Sequence, residues 1–268
     1  SFVRRRLGRE ALERLVQPLV GGIYTGDPER LSLKATLPRF IEMEREHGSL
    51  WQGLRASAAG RAAATQGARY GLFASLAGGL GQLVDTATDL LAERCRIRRG
   101  ARVSAVRPVE EPGGFRVELA TGESIEADAV VLAVPCGVAA GLAKDLSKDL
   151  SDRLSEIESA SSVVVSTGYR LDQIEHPLDA YGLVVPHAEG RRVLAVSFAS
   201  RKLAGRAPEG RVLLRTFVGG ALQPELVDLD DSEIEQLVRE ELGSLLGVRG
   251  EPEMIDVVRY PRRMPQYV

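Results

Sequence analysis

The chain is poor in the residues that most often carry chemistry on their own. Its 268 residues include 2 cysteines, 3 histidines, 1 tryptophan and 3 methionines, and aromatic residues make up 5%. Cys95 and Cys136 fit no zinc-ligand spacing, so two reduced thiols of a cytosolic protein are expected. His47, His176 and His187 are too scattered to announce a metal cluster. With so few aromatic residues, a protein that works by stacking bases is excluded. Charge of one sign is also missing: 35 Lys and Arg stand against 37 Asp and Glu, a net −2. That balance excludes the basic stripe of a nucleic-acid binder and the acidic tail of a disordered chain. The longest apolar run, residues 129–134, falls far short of the roughly 20 residues that span a bilayer. Ser1-Phe2-Val3-Arg4-Arg5-Arg6 lacks the apolar centre of a signal peptide, so a cytoplasmic protein is expected. What remains is an ordinary globular composition, 44% hydrophobic, with core enough for one large or two small domains.

Hydrophobic periodicity divides the chain into three stretches. Residues 1–95 read as a mainly helical subdomain. Leu12, Leu15, Val16 and Leu19 follow helical spacing, and Pro18 should end or kink that helix. Gly21-Gly22-Ile23-Tyr24-Thr25-Gly26-Asp27-Pro28 reads as a glycine-rich turn. Residues 32–47 are helical with an interruption at Pro38 and Gly48 at the C′ position. Residues 56–69 are a loop or a loosely held helix, and 82–94 form another helix. Residues 96–135 read as a strand-rich scaffold, with strands at 102–106, 115–119 and 124–126 and a hairpin signal at Thr121-Gly122. The continuous apolar run 129–134 predicts a strand buried on both faces.

Residues 136–268 read as a sheet with helices. A helical stretch over 137–159 precedes strands at 163–169, 182–185, 193–198 and 212–218. The turns between the last three are short enough to make them antiparallel neighbours. Ser232-x-x-Glu235 reads as a capping box opening a helix that carries Ile234, Leu237, Val238, Leu242 and Leu245 on one face. A last strand, 255–260, stops before Pro261. The fold class is α+β: a mixed, largely antiparallel sheet with a helical subdomain. No triad, acid–base dyad or metal-ligand set is present, so no residue is assigned a catalytic or metal-binding role.

Particular segments carry a resemblance. Gly22-Ile23-Tyr24-Thr25-Gly26-Asp27-Pro28-Glu29-Arg30-Leu31-Ser32 strongly resembles a segment of the protoporphyrinogen/coproporphyrinogen oxidase family. Phe40-Ile41-Glu42-Met43-Glu44-Arg45-Glu46-His47-Gly48-Ser49-Leu50 is similar to the helix end that follows it there. Gly71-Leu72-Phe73-Ala74-Ser75-Leu76-Ala77-Gly78-Gly79-Leu80 resembles the family's F-x-S-x-x-G-G turn. Ala127-Asp128-Ala129-Val130-Val131-Leu132-Ala133-Val134-Pro135 is shared more widely, across the flavin amine oxidase superfamily. Pro265-Gln266-Tyr267 resembles the P-Q-Y before the family's last flavin-contacting segment. The GxGxxG that holds the FAD pyrophosphate at a helix N-terminus has no counterpart here. Gly79-Leu80-Gly81 lacks the third glycine. The resemblance therefore implies the middle of such an enzyme, inactive alone.

The resemblance implies a six-electron oxidation of protoporphyrinogen IX or coproporphyrinogen III in haem biosynthesis, with FAD as cofactor and O₂ as electron acceptor. The cofactor carries that chemistry, and the protein supplies position and a dry apolar wall. By residue-wise match, Tyr181, Gly182 and Val184 would pack the macrocycle, with Ser197 and Phe217 on neighbouring strands. Gly21 and Gly22 would close the pocket from the helical side. Ordinary core is the competing reading for Tyr181 and Phe217, and a plain turn for the glycines. Val103 matches the position whose backbone meets the FAD adenine. The family's propionate-binding arginine lies upstream of Ser1, so no arginine present is assigned that role. Arg94, Arg96, Arg98, Arg99 and Arg102 read as a solvated face. Two other readings compete: an amine oxidase or carotenoid desaturase of the same superfamily, and a catalytically silent module that docks on a membrane or dimerises. The partners implied are a porphyrin macrocycle and O₂, with no nucleic acid. Peripheral contact with the inner membrane and a homodimer are further expectations.

Overall fold

Apolar residues at helical spacing open the chain. In the computed structural model, which describes residues 2–63, 74–110 and 113–268, α1 (Phe2–Leu7) and α2 (Arg9–Ala11) lead through a π-helical turn (Leu12–Val16) into α3 (Gln17–Tyr24). Pro18 does not stop the helix. It sits in the first turn of α3, directly after the wider π turn, where a missing N–H costs least. Residues 21–24, expected as a turn, form the last turn of α3. The helix ends at Thr25, in the left-handed region at φ 51°, with its N–H bonded to the Gly21 carbonyl at 2.9 Å. Glycine lowers helix propensity by only about 1 kcal/mol, and packing overrides that. Next come α4 (Leu33–Thr36) and α5 (Pro38–His47), separated at Pro38 as expected, and α6 (Leu50–Ala63). The rest of the 56–69 stretch lies outside the described residues, as do positions 71–73 of the Phe73 motif.

Contacts within the chain separate two compact units, residues 75–158 and residues 1–74 with 159–268. The first holds α7 (Gly81–Ala92), then β1 (Val103–Pro108), β2 (Phe115–Leu119) and β3 (Ser124–Ala127), an antiparallel meander. Its remaining helices are α8 (Cys136–Ala143) and α9 (Lys148–Ser155), two where one was expected. The break comes at Ser147, whose hydroxyl caps α9 by accepting the Leu150 N–H. Val106, Leu119, Leu142 and Ala143 form this unit's buried core. Residues 129–134 correct another expectation: they join no sheet, and Val131 is 91% exposed. A strand is made by its hydrogen-bonded neighbours, and no described strand pairs with this run.

The second unit is built on β4 (Ser159–Arg170), β5 (Gly182–Val184), β6 (Ala195–Phe198), β7 (Arg211–Gly219) and β8 (Met254–Pro265). Their order is β5-β6-β7-β4-β8, and every neighbouring pair is antiparallel. The three strands expected to be adjacent are adjacent. A short helix, α10 (Ala199–Lys202), follows β6, and α11 (Asp231–Leu246) precedes β8. Val163, Val165 and Tyr169 on β4, Val212, Leu214 and Val218 on β7, and Val196 and Phe198 on β6 alternate onto one face. There they pack with Ile234, Leu237, Val238, Leu242 and Leu246 of α11. The capping box of α11 lies two residues before its expected place. Asp230 Oδ1 accepts the Glu233 N–H, and Glu233 Oε2 accepts the Asp230 N–H, each at 2.9 Å. The Ser232 hydroxyl only donates to Asp230.

Strand β8 does not stop at Pro261. It runs along the sheet edge, where a proline's absent N–H breaks no inner ladder. The register slips between Ala160 and Ser162, a bulge in which Arg262 takes φ 49° and donates its N–H to Ser161 Oγ at 2.9 Å. The connection from β5 to β6 is pinned to α11 by the buried Glu241. Its carboxylate accepts from Arg191 Nη1 at 3.0 Å and from the Arg192 N–H at 3.1 Å.

Three buried hydroxyls, those of Thr167, Tyr169 and Thr216, have no hydrogen-bond partner among the described residues. Burying an unpaired hydroxyl costs about 1–3 kcal/mol. Thr216→Val, which keeps the shape, is expected to raise stability by about 1 kcal/mol in denaturant unfolding. Burial pushes the Tyr169 phenol above its ordinary value, and Arg239 offsets this only in part. The folded state therefore favours the neutral phenol. Its contribution is intact below the unfolded value of about 10 and is lost as pH rises through the folded one. Tyr169→Phe, which removes an equally unpaired hydroxyl, should raise the neutral-pH melting temperature and flatten the alkaline decline expected in melts across pH 8–11.

Candidate functional site

The sheet face opposite α11 is not covered in the same way. By register, Gly182 and Val184 of β5, Ala195 and Ser197 of β6, and Arg215 and Phe217 of β7 share that face. The row Val184–Ala195–Phe217 lies beside the row Gly182–Ser197–Arg215. Together with Leu19, Gly22 and Ile23 of α3 they line a groove of about 680 Å³. A Cβ on Gly22 would come within 3.5 Å of Val184 Cγ1, so α3 lies close against β5. Tyr181, Val184, Leu19 and Ile23 are exposed along the groove. The Arg215 guanidinium lies 5.8 Å from the centroid of the Phe217 ring, within cation–π range.

Six of the seven pocket residues named from the sequence line this groove: Gly22, Tyr181, Gly182, Val184, Ser197 and Phe217. Gly21 does not. It is buried in α3, where a Cβ would meet the Gln17 carboxamide at 3.2 Å. Leu19, Ile23, Lys202 and Arg215 line the groove and were missed. Strand alternation could have found Arg215, since it lies two residues before Phe217 and so on the same face. Gly182 has a backbone reason to be glycine. Its φ is 152°, and a Cβ there would sit 2.4 Å from the Val196 carbonyl oxygen.

Two segments far apart in sequence hold the helical side in place. Gln266 Nε2 donates to the Tyr24 carbonyl at 3.2 Å, and the Tyr267 carbonyl accepts the Ser32 N–H at 2.6 Å. The Tyr24 and Tyr267 rings meet edge to face at 5.9 Å. Gly26 lets the Gln266 carboxamide in: a Cβ there would stand 2.5 Å from Gln266 Oε1. The Thr25 carbonyl accepts the Ala221 N–H at 2.7 Å, joining the end of α3 to the turn after β7. The Gly22–Ser32 and Pro265–Tyr267 motifs are thus one contact.

The other unit has its own trough, about 830 Å³, lined by Val103, Ser104 and Val106, residues 130–134, and Gly137, Val138 and Gly141 of α8. Its lining is apolar apart from Ser104 and Arg102. This suits a flat, weakly polar group beside the Val103 backbone. It does not suit a pyrophosphate, since among the described residues no glycine loop joins a strand to a helix N-terminus. In the nearby arginine cluster, Arg98 is engaged by Glu123 through two 2.7 Å bonds, which hold the Glu123 carboxyl below the usual range. Both cysteines are free thiols. Among the described residues no three His, Cys, Asp or Glu side chains are grouped to hold a metal, and no helix is long and apolar enough to cross a membrane.

Comparison with known proteins agrees along the whole chain. The profile of the flavin containing amine oxidoreductases matches residues 1–268. Coproporphyrinogen III oxidase of Bacillus subtilis is 32% identical over 268 residues, covering all of this chain and 56% of its own. The chloroplastic protoporphyrinogen oxidase of Nicotiana tabacum is 28% identical, covering all of this chain and 52% of its own. A crystal structure from Exiguobacterium sp. 255-15, provisionally assigned as a protoporphyrinogen oxidase, superposes with a TM-score of 0.84 at 28% identity. It covers 99% of this chain and 55% of its own. The chain spans about half the length of the curated relatives it matches.

Gly182→Ala should be among the most damaging single substitutions on this face. The added methyl must displace the Val196 carbonyl and part β5 from β6. A loss of about 2 kcal/mol or more is expected in urea unfolding, with Gly190→Ala, at an open turn, costing clearly less.

Proposed function

The chain belongs to the flavin containing amine oxidoreductase family, and we propose that it is the porphyrinogen-binding portion of an FAD-dependent porphyrinogen oxidase of haem biosynthesis. The observation that carries this reading is the groove: a concave, mainly apolar floor between α3 and β5–β7, with aromatic side chains on it. A flat macrocycle asks for that kind of wall. Relatives that match this chain end to end carry coproporphyrinogen or protoporphyrinogen oxidase names, which supports the substrate class.

The flavin, when bound, takes up the reducing equivalents that the porphyrinogen loses, with O₂ as the final acceptor. The residues of this chain bind and orient. Phe217 and Tyr181 offer ring faces to the macrocycle, Gly182 lets it approach the β5 backbone, and Val184 and Ser197 fill the floor between them. Gly21 keeps α3 tight behind the lining residue Gly22, while Leu19 and Ile23 exclude water from the helical side. Val103 would meet the adenine through its backbone at the apolar trough. Peripheral contact with a membrane and self-association fit the exposed apolar side chains of the helical segment, Leu7, Leu15, Trp51 and Leu54.

Protoporphyrin IX and coproporphyrin III, the stable oxidised products, should bind the chain and change their fluorescence on titration. Phe217→Ala should weaken binding by about tenfold, the upper end of an aromatic stacking contribution, with an unchanged circular dichroism spectrum. Failure of both porphyrins to bind would defeat this reading. FAD should bind more weakly than micromolar in calorimetric titration, because a few neutral backbone hydrogen bonds contribute about 1 kcal/mol each.

A further inference from the structure

An apolar floor has no use for a charge unless the ligand brings the opposite one. Arg215 stands at the β7 side of this floor, exposed, with Ser197 of β6 on one side and Ser166 of β4 on the other. Other arginines of the same unit have carboxylate partners: Arg191 with Glu241, Arg211 with Glu253, Arg259 with Asp231. Arg215 has none among the described residues. Asp256 shares its row but lies two strands away through Ser166, about 10 Å at ordinary strand spacing. What Arg215 does have is the Phe217 ring, 5.8 Å from its guanidinium carbon. That contact keeps the guanidinium next to the ring on which a flat ligand would rest.

We propose that Arg215 reads a peripheral carboxylate of the bound macrocycle. This assignment rests on the porphyrinogen reading and names the feature of the substrate that the groove selects. A macrocycle stacked on Phe217 covers the guanidinium and removes much of its water, which strengthens its pairing with a carboxylate on the ring edge. The planar fork offers two parallel N–H donors, a geometry that lysine lacks. Ring recognition and carboxylate recognition are then separable: Phe217 supplies the first and Arg215 the second. The groove should prefer a free acid to its ester, whether the ring carries four carboxylates or two.

The test is a set of fluorescence titrations of the chain in one detergent, with coproporphyrin III, protoporphyrin IX and coproporphyrin tetramethyl ester. The wild-type chain should bind the tetra-acid about tenfold tighter than the ester, and the gap should narrow at about 0.5 M salt. Arg215→Gln should cost the acids about fivefold and leave ester binding unchanged, with the circular dichroism spectrum intact. Arg215→Lys, the milder change, should recover part of the acid affinity and keep the salt dependence. If acid and ester bind the wild type equally, or Arg215→Gln and Arg215→Lys both bind every ligand as the wild type does, the Arg215 assignment is overturned while the porphyrin reading stands. If none of the three ligands binds the wild type, the porphyrin reading falls and the assignment with it.

Discussion

Side chains alternate along a strand, so a sheet with one face committed to a core has only its other face to offer a ligand. In the β5-β6-β7-β4-β8 sheet, α11 takes the first face. Val163, Val165, Leu214, Val218, Ile234 and Leu242 are almost wholly excluded from water there. Everything proposed for the groove depends on that commitment. A one-residue slip of β6 or β7 would turn Ser197 or Arg215 into the core and Val196 or Leu214 out of it. Register is held by nine consecutive pairings between β4 and β7, by the close approach at Gly182, and by Glu241, which fastens the β5–β6 connection to α11.

The helical wall of the groove is held by a different device. Helix α3 has few buried side chains, so its position does not come from a large apolar interface. It comes from polar contacts at both ends: Gln17 Oε1 accepts the His187 N–H at 2.8 Å, and Tyr24 and Thr25 meet Gln266, Tyr267 and Ala221 through hydrogen bonds to their carbonyls and one ring contact. Small residues at Gly22 and Gly26 permit the approach. Conservative side-chain changes elsewhere on α3 would alter the wall's lining, whereas a change at Gly26 would move the wall itself.

Much of the architecture was legible because it follows from periodicity and turn length. The strands 182–185, 193–198 and 212–218 were read in nearly their final bounds, and their antiparallel order followed from short connections. The helix break at Pro38 and the stop at Gly48 were legible from residue type alone. Misreadings arose where a local signal has more than one outcome. Paired glycines at 21 and 22 suggest a turn, but packing kept them helical. Asp230 and Ser232 can each cap a helix, and each has a glutamate three residues on; the helix starts at Asp231, so Asp230 and Glu233 close the box. The apolar run 129–134 carries strand composition, yet composition cannot supply a neighbour to bond with. For the groove, the resemblance supplied the aromatic and glycine positions. Arg215 was passed over because an arginine on a strand reads as a solvent-facing residue until the partner across the face is known.

The bulge at Pro261 to Arg263 and the pairing of β8 with β4 have a consequence for how the chain is made. Strand β4 sits between β7 and β8, both of which leave the ribosome later, and the P-Q-Y segment that meets the end of α3 follows β8. Residues 75–158 are contiguous, so the contacts within their unit can form once that stretch is made. The unit that contains the groove is not contiguous. Helix α3 can bond to His187 and Ala221 once those residues are made, but its contacts with Gln266 and Tyr267 and the closing of the sheet edge wait until residues 254–267 arrive. For that interval one flank of β4 is an open hydrogen-bonding edge, the kind of surface that invites mispairing and chaperone attention. Once β8 has closed that flank, the proline and two arginines at its bulge discourage a second chain from pairing along the new edge.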